Sequence, residues 1–287
     1  MQSIPPIQAY PNELARETKV GRYMGLAQFL QLIETGTAYF PSVFSLRGAE
    51  GNKGDRMEGK LNPNDRWLLD GTAEILDLAM NANWPSVSGE TERIKKAVDE
   101  VTIKPVNTPF GPVYAADDLD HGQIYDRVNQ WIDVWCWHQF DHEHIGMWRQ
   151  YGQGDGAVCI VTTIDLLQGS LSPTEGIDIK VLPVIYREWL GLPTVSDDPY
   201  WIAIQKSRVY RDEREVRVVA IDKNCDPTEN RDEMGRLIPL DVKRLCNRVV
   251  VHPDSPDWVF DTIDRVTQRY LGRHAARSEI YMERRPL

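Results

Sequence analysis

At 287 residues the chain is long enough to bury a full hydrophobic core, as one large domain or two small ones. A hydrophobic content of 41% with 26% charged residues is ordinary for a globular protein, and a formal net charge of -10 argues against tight nonspecific nucleic-acid binding. No run approaches the roughly 20 apolar residues of a membrane helix, and the N-terminus lacks a basic-then-apolar leader, so no membrane contact and a cytoplasmic location are expected.

Met1 to Thr18 is polar with three prolines and reads as a surface arm. Lys19 to Tyr23 fits a short strand. Leu26, Phe29, Leu30 and Ile33 then recur at helical spacing, with Gly36 as the stop. Ala38 to Phe44 reads as a second strand interrupted by Pro41. Ser45 to Lys60 is charged and glycine-rich and predicts a surface loop containing Asp55, Glu58 and Gly59.

Helices are predicted over Asp65 to Met80, Glu90 to Glu100, Asp117 to Gln130, Glu143 to Tyr151 and Asp257 to Leu271. The prolines of Thr102 to Tyr114 suggest irregular or edge structure. Trp131 to Trp137, Gly156 to Thr162, Ile177 to Tyr186 and Arg214 to Ile221 read as strands, and Leu237 to Leu240 and Arg248 to Val251 are apolar runs. The resulting class is α+β, a mixed or antiparallel central sheet with surrounding helices. It forms a single domain over 19–287, with a helical insertion at about 64–130. Cys136, Cys159, Cys225 and Cys246 form no CxxC pair and read as free thiols.

The span Lys206 to Ala220 carries the most chemical information. Strand alternation places Glu213, Glu215 and Arg217 on one face. Charges on a core strand need partners or a polar cleft, so these three form a structural ion network or line a site. Lys206 and Tyr210 precede them and can neutralise the acidic pair or hold a phosphate. Trp148 and Tyr151, three apart on a helix, form a core stripe or a stacking platform for a flat ring.

His138 and His142 have the i, i+4 spacing of metal sites, with Asp141, Glu143 and His144 nearby. Gln139 stands where an HExxH enzyme carries its glutamate, so no metal is expected. Neither GxxxxGK[ST], GxGxxG nor GxSxG occurs, which argues against P-loop, Rossmann and serine-hydrolase chemistry.

Several of these pieces occur together in a known order. They are Arg22-Tyr23-Met24, Asp55 with Glu58-Gly59, Cys136-Trp137-His138, Met147-Trp148 with Tyr151, Gly156 to Ile160, and Lys206-Ser207 with Glu213, Glu215 and Arg217. With Val249 to Pro253 and Ser278, the series resembles the bacterial domain-of-unknown-function family number 2971, over roughly Lys19 to Ile280. Arg22, Tyr151 and Glu213-Arg214-Glu215 also resemble, more loosely, the ordered elements of ADP-ribosyltransferases, although the Ser-Thr-Ser element is missing.

That second resemblance implies a split sheet and NAD as substrate, in a toxin or phage-defence effector. It casts Glu215 as the catalytic carboxylate, Glu213 as positioning the acceptor (protein, nucleic acid or small molecule), and Arg22 on the pyrophosphate or ribose. Tyr151 or Trp148 would pack on nicotinamide, with Tyr23, Lys206 and Arg217 completing the nucleotide site. The alternatives are a metal-dependent hydrolase built on His138 and His142, and a noncatalytic nucleotide-binding or interaction module.

Overall fold

The computed structural model describes residues 14–47, 55, 57–66, 105–114, 120–152, 154, 156–188 and 198–284. The helices expected over Asp65 to Met80 and Glu90 to Glu100 lie outside the described residues apart from a one-turn helix, Pro63–Arg66. Most of the expected N-terminal arm and of the 64–130 insertion does too.

Among the described residues, seven strands form the central sheet. They are β1 (Lys19–Met24), β5 (Ile132–Gln139), β6 (Val158–Thr163), β7 (Ile177–Pro183), β10 (Glu215–Asp222), β12 (Arg248–Val251) and β13 (Ala276–Arg277), in the order β13-β12-β6-β1-β5-β10-β7. Every neighbouring pair is antiparallel except β12 with β13, so the sheet is mixed and the fold is α+β. Small two-stranded sheets add β2 (Thr37–Pro41) with β11 (Gly235–Pro239), β3 (Val106–Thr108) with β4 (Gly111–Val113), and β8 (Ile185–Arg187) with β9 (Gln205–Ser207).

The sheet is covered on both faces, which is why its strands read as apolar runs rather than clean alternations. On one face Trp135, Trp137, Ile160, Val216, Val218 and Val249 pack against Phe29, Leu32 and Ile33 of the Leu26–Thr35 helix and against Val259, Ile263 and Leu271 of the Asp257–Leu271 helix. Both helices stop at a glycine in the left-handed region, Gly36 at φ 65° and Gly272 at φ 68°. That conformation costs glycine little and ordinary residues more.

The other face is covered in two separate patches. Ile132, Val134, Val219 and Ile221 pack under the His121–Trp131 helix, and Tyr23, Cys159, Val161 and Val250 under Met147 and Trp148. The His121–Trp131 helix is started by Asp120, whose carboxylate accepts from Gln123 N at 2.8 Å while the Gln123 amide oxygen accepts from Asp120 N.

The two patches are separated where β1 leaves β5. β1 pairs with β6 along all six residues but with β5 only at Val20↔Gln139 and Gly21↔His138. Close approach at that short junction depends on Gly21: a methyl group there would stand 2.6 Å from Cδ2 of Phe140 and 3.3 Å from Sγ of Cys159. Gly21→Ala is therefore expected to cost about 1–3 kcal/mol in urea unfolding, the usual range for overpacking.

Some strand boundaries shift. The second predicted strand ends at Pro41, and Phe44–Arg47 forms a 3-10 turn instead. The run Ile177 to Tyr186 divides at Val184, whose amide donates to the Glu215 carbonyl at 2.9 Å. Thr102 to Tyr114, expected to be irregular or edge, contains the β3–β4 hairpin.

Candidate functional site

Beyond Gly21 the parted strands leave a cleft of about 820 Å³. Its floor is one face of β5 and β10: Val134, Cys136 and His138 alternate along β5, and Glu215 and Arg217 along β10. Glu215 lies opposite His138 in the ladder, and Arg217 opposite Cys136. Arg22, Tyr23 and the start of the Leu26–Thr35 helix form one wall. Asp55, Glu58, Gln150, Tyr151, Lys206, Tyr210 and Glu213 close the others.

The cleft thus brings together seven of the eight residues singled out in the sequence: Arg22, Tyr23, Tyr151, Lys206, Glu213, Glu215 and Arg217. Trp148 is elsewhere. It is fully buried, its ring edge-on to Tyr23 at 4.8 Å, and its Nε1 donates to Glu143 at 3.2 Å. Placing Trp148 on a bound ring is corrected: it is the core side of the helix, whereas Tyr151, one turn on, reaches the cleft.

Glu213 is not on the strand. It ends a 3-10 turn, Arg208–Glu213, and Arg214 then adopts φ 45°, the one non-glycine positive φ among the described residues. That left-handed residue turns the Glu213 carbonyl onto His138 Nδ1 at 2.9 Å. A carbonyl can only accept, so Nδ1 carries the hydrogen and Nε2 keeps its lone pair. Burial holds the His138 pKa below its ordinary value, so the ring is neutral at pH 7.

The ion network joins distant segments. Lys206 Nζ donates to Glu213 Oε2 and Glu215 Oε2, each at 2.7 Å, and lies 3.9 Å from Glu58. Arg217 donates from Nε to Glu215 Oε1 at 2.8 Å, from Nη1 to the Ala203 carbonyl at 2.5 Å, and from Nη2 to Glu58. Glu213 Oε1 accepts from Tyr151 Oη at 3.1 Å and Gln150 Nε2 at 3.2 Å. The Glu215 amide donates to Tyr186 Oη at 2.7 Å.

Glu58 is the member of this network that sequence reasoning placed on a surface loop. It is buried, on a turn held by Arg47, whose Nε donates to the Glu58 carbonyl at 2.7 Å and whose Nη2 donates to that of Gly59 at 3.0 Å. Gly59 has φ 60°, and a methyl group there would stand 2.6 Å from Val43 Cγ1, so the turn needs glycine. Its Glu-Gly pair was the available signal.

Two cations, Arg217 and Lys206, hold the Glu215 pKa below the usual carboxylate range despite burial, while burial pushes Glu58 up. Glu215 therefore contributes stability that is full above its ordinary pKa of 4.5 and is lost as pH falls toward its lower folded value. Urea stability should fall below pH 4.5, and fall less steeply in Glu215→Gln. Equal slopes would remove Glu215 as the cause.

Two groups in the cleft differ from the rest. Arg22 forms no ion pair among the described residues. Its Nη1 donates to the Cys136 carbonyl, which the missing β1–β5 ladder leaves open, and its guanidinium lies 5.1 Å from the Trp135 ring centre. Asp55 accepts from Met57 N at 2.9 Å through Oδ1, while Oδ2 has no partner.

The histidines do not converge. His138 is on a strand rather than a helix, His142 is exposed in the following turn, and His144 caps the Ile145–Tyr151 helix by accepting from Gly146 N at 3.1 Å. No group of three or more His, Cys, Asp or Glu side chains is placed to hold a metal ion among the described residues. Nor is any helix among them long and apolar enough to cross a membrane.

Fold and site together define an α+β protein whose central sheet parts to form a buried, ion-paired cleft. Comparisons with protein-family models, with curated proteins and with solved structures give no match.

Proposed function

We propose that the cleft binds NAD and cleaves the nicotinamide–ribose bond, making the protein an ADP-ribosyltransferase-like enzyme. One observation carries this: Arg22, Tyr151 and the Glu213–Glu215 pair, from three distant stretches of chain, border a single cleft. Cleavage of that bond develops positive charge on the ribose, and a carboxylate fixed nearby stabilises it electrostatically.

Accessibility favours Glu213 for this part. Its side chain is 8% exposed against 1% for Glu215, and its Oε1 is held only by the neutral donors Tyr151 and Gln150, whereas both oxygens of Glu215 are paired to the cations Lys206 and Arg217. Glu215 then acts by holding those two cations. The unpaired guanidinium of Arg22 suits a pyrophosphate, whose oxygens its planar fork can bind two at a time. Tyr151 and Tyr210 offer apolar ring faces to the bases.

The test is release of nicotinamide from NAD by the purified protein, with and without cell extract as the source of acceptor. Turnover lost in Glu213→Gln supports the proposal; no turnover under any condition overturns it. The full pairing of Glu215 favours one second reading, a noncatalytic nucleotide-binding module. That reading predicts a raised melting temperature with NAD and no consumption of it.

A further inference from the structure

Six buried side-chain N or O atoms among the described residues have no hydrogen-bond partner: Asp55 Oδ2, Asn129 Oδ1, Trp137 Nε1, Thr162 Oγ1, Trp201 Nε1 and Thr267 Oγ1. Of these, only Asp55 Oδ2 belongs to a residue lining the cleft, and only it belongs to a carboxylate. A buried carboxylate oxygen without a donor is a costly arrangement, which a native fold keeps where a ligand or another function uses it.

The residue is held in place rather than left loose. Asp55 is 7% exposed, its Oδ1 accepts from Met57 N at 2.9 Å, and its carbonyl accepts from Glu58 N at 3.0 Å. The same turn delivers Glu58 to Arg217. Asp55 is thus a fixed part of the cleft lining, with its Oδ2 buried and unpartnered.

Charge decides what it accepts. Glu58, Glu213 and Glu215 share Lys206 and Arg217, so Asp55 and Arg22 are the two charged groups of the cleft without a counter-charge within 4.0 Å among the described residues. An unpaired cation and an unpaired acceptor in one cleft match a ligand that carries phosphate at one point and a neutral donor at another. A nucleotide has both, in its phosphates and its ribose hydroxyls. With Oδ1 already engaged, Oδ2 offers one strong acceptor, which suits a hydroxyl.

Resting on the proposed NAD-binding role of the cleft, we propose that Asp55 is the ribose anchor of the nucleotide, accepting a ribose hydroxyl at Oδ2. A carboxylate in that position also sets specificity: it accepts from a free 2′-hydroxyl and repels a 2′-phosphate, so NAD is bound in preference to NADP.

Asp55→Asn tests this with little change of shape. The amide oxygen keeps the bond from Met57 N, and the NH₂ replaces the acceptor by a donor at the Oδ2 position. Affinities for NAD, NADP and ADP-ribose are measured calorimetrically for both proteins, with the ligand-free melting temperature of each. The expected result is about ten- to a hundredfold weaker NAD and ADP-ribose binding in the variant. The NAD-to-NADP preference should narrow, and the ligand-free melting temperature should hold or rise because an unpaired buried charge is gone.

Unchanged NAD affinity in the variant overturns the ribose anchor and leaves the proposed function standing. A lowered ligand-free melting temperature with an unchanged NAD-to-NADP ratio makes Asp55 a structural residue and overturns the anchor equally. No binding of any of the three nucleotides by the unaltered protein overturns both.

Discussion

Arg217→Met should destabilise the protein by about 3–5 kcal/mol, the largest loss expected from a single substitution outside the hydrophobic core. The guanidinium is fully buried and donates to Glu58, Glu215 and the Ala203 carbonyl. Methionine is close in volume, so packing survives and the loss is electrostatic. Two buried carboxylates then keep only Lys206, which Glu213 also engages at 2.7 Å. Uncompensated buried charge is what makes breaking such a pair expensive, even where an apolar replacement of the whole set is tolerated.

Urea unfolding at pH 7 provides the measurement, and a comparison sharpens it. Adding Glu58→Gln and Glu215→Gln to Arg217→Met should recover part of the loss, because the stranded charges are removed with their partner. A loss below about 1 kcal/mol for Arg217→Met alone would show that water reaches the network and screens it.

On the proposed function, Glu213→Gln is expected to have the opposite profile, a large effect on turnover and a small one on stability. Removing one electrostatic contact to a developing charge typically lowers kcat by about 10²–10³. Glutamine retains an oxygen to accept from Tyr151 and Gln150, and Lys206 retains Glu215, so the stability cost should stay near 1 kcal/mol. Rates of nicotinamide release, set beside melting curves for the same preparation, separate the two effects. If turnover persists at near the unaltered rate, Glu213 is not the contacting carboxylate.

Taken together, the two substitutions divide an acidic pair that looks uniform in sequence. Glu215 and Glu213 are two residues apart and share Lys206, yet one is also sealed under Arg217 while the other ends a turn against Tyr151. The difference comes from Arg214. Its left-handed backbone ends the 3-10 turn at Glu213 and starts the strand at Glu215. Nothing in Glu-Arg-Glu announces this, because arginine has no preference for positive φ.

Legibility follows the range of the interaction. The Asp257–Leu271 helix was readable to the residue, and the apolar run Arg248 to Val251 has the bounds of a strand, since apolar periodicity and a terminal glycine are local signals. Trp148 and Tyr151 share a helical face in sequence, but burial under Tyr23 and His252 claims one and the cleft the other. His138 and His142 imitate a metal pair until the strand that carries His138 removes the helical spacing. Glu58 sat in a span whose glycines and charges resembled a solvated loop, and only its long-range contact with Arg217 made it interior.

By itself, then, the sequence determined the α+β class, most of the element order, and a short roster of charged and aromatic residues too polar for an ordinary core. Those properties depend on neighbours within a turn or two of chain. The tertiary structure decided where β1 parts from β5, how each carboxylate is paired, and that Asp55 lines the cleft with one buried oxygen unclaimed. These depend on segments far apart in the chain meeting at one place, Glu58 with Arg217 above all, and such meetings are set by packing of the whole chain.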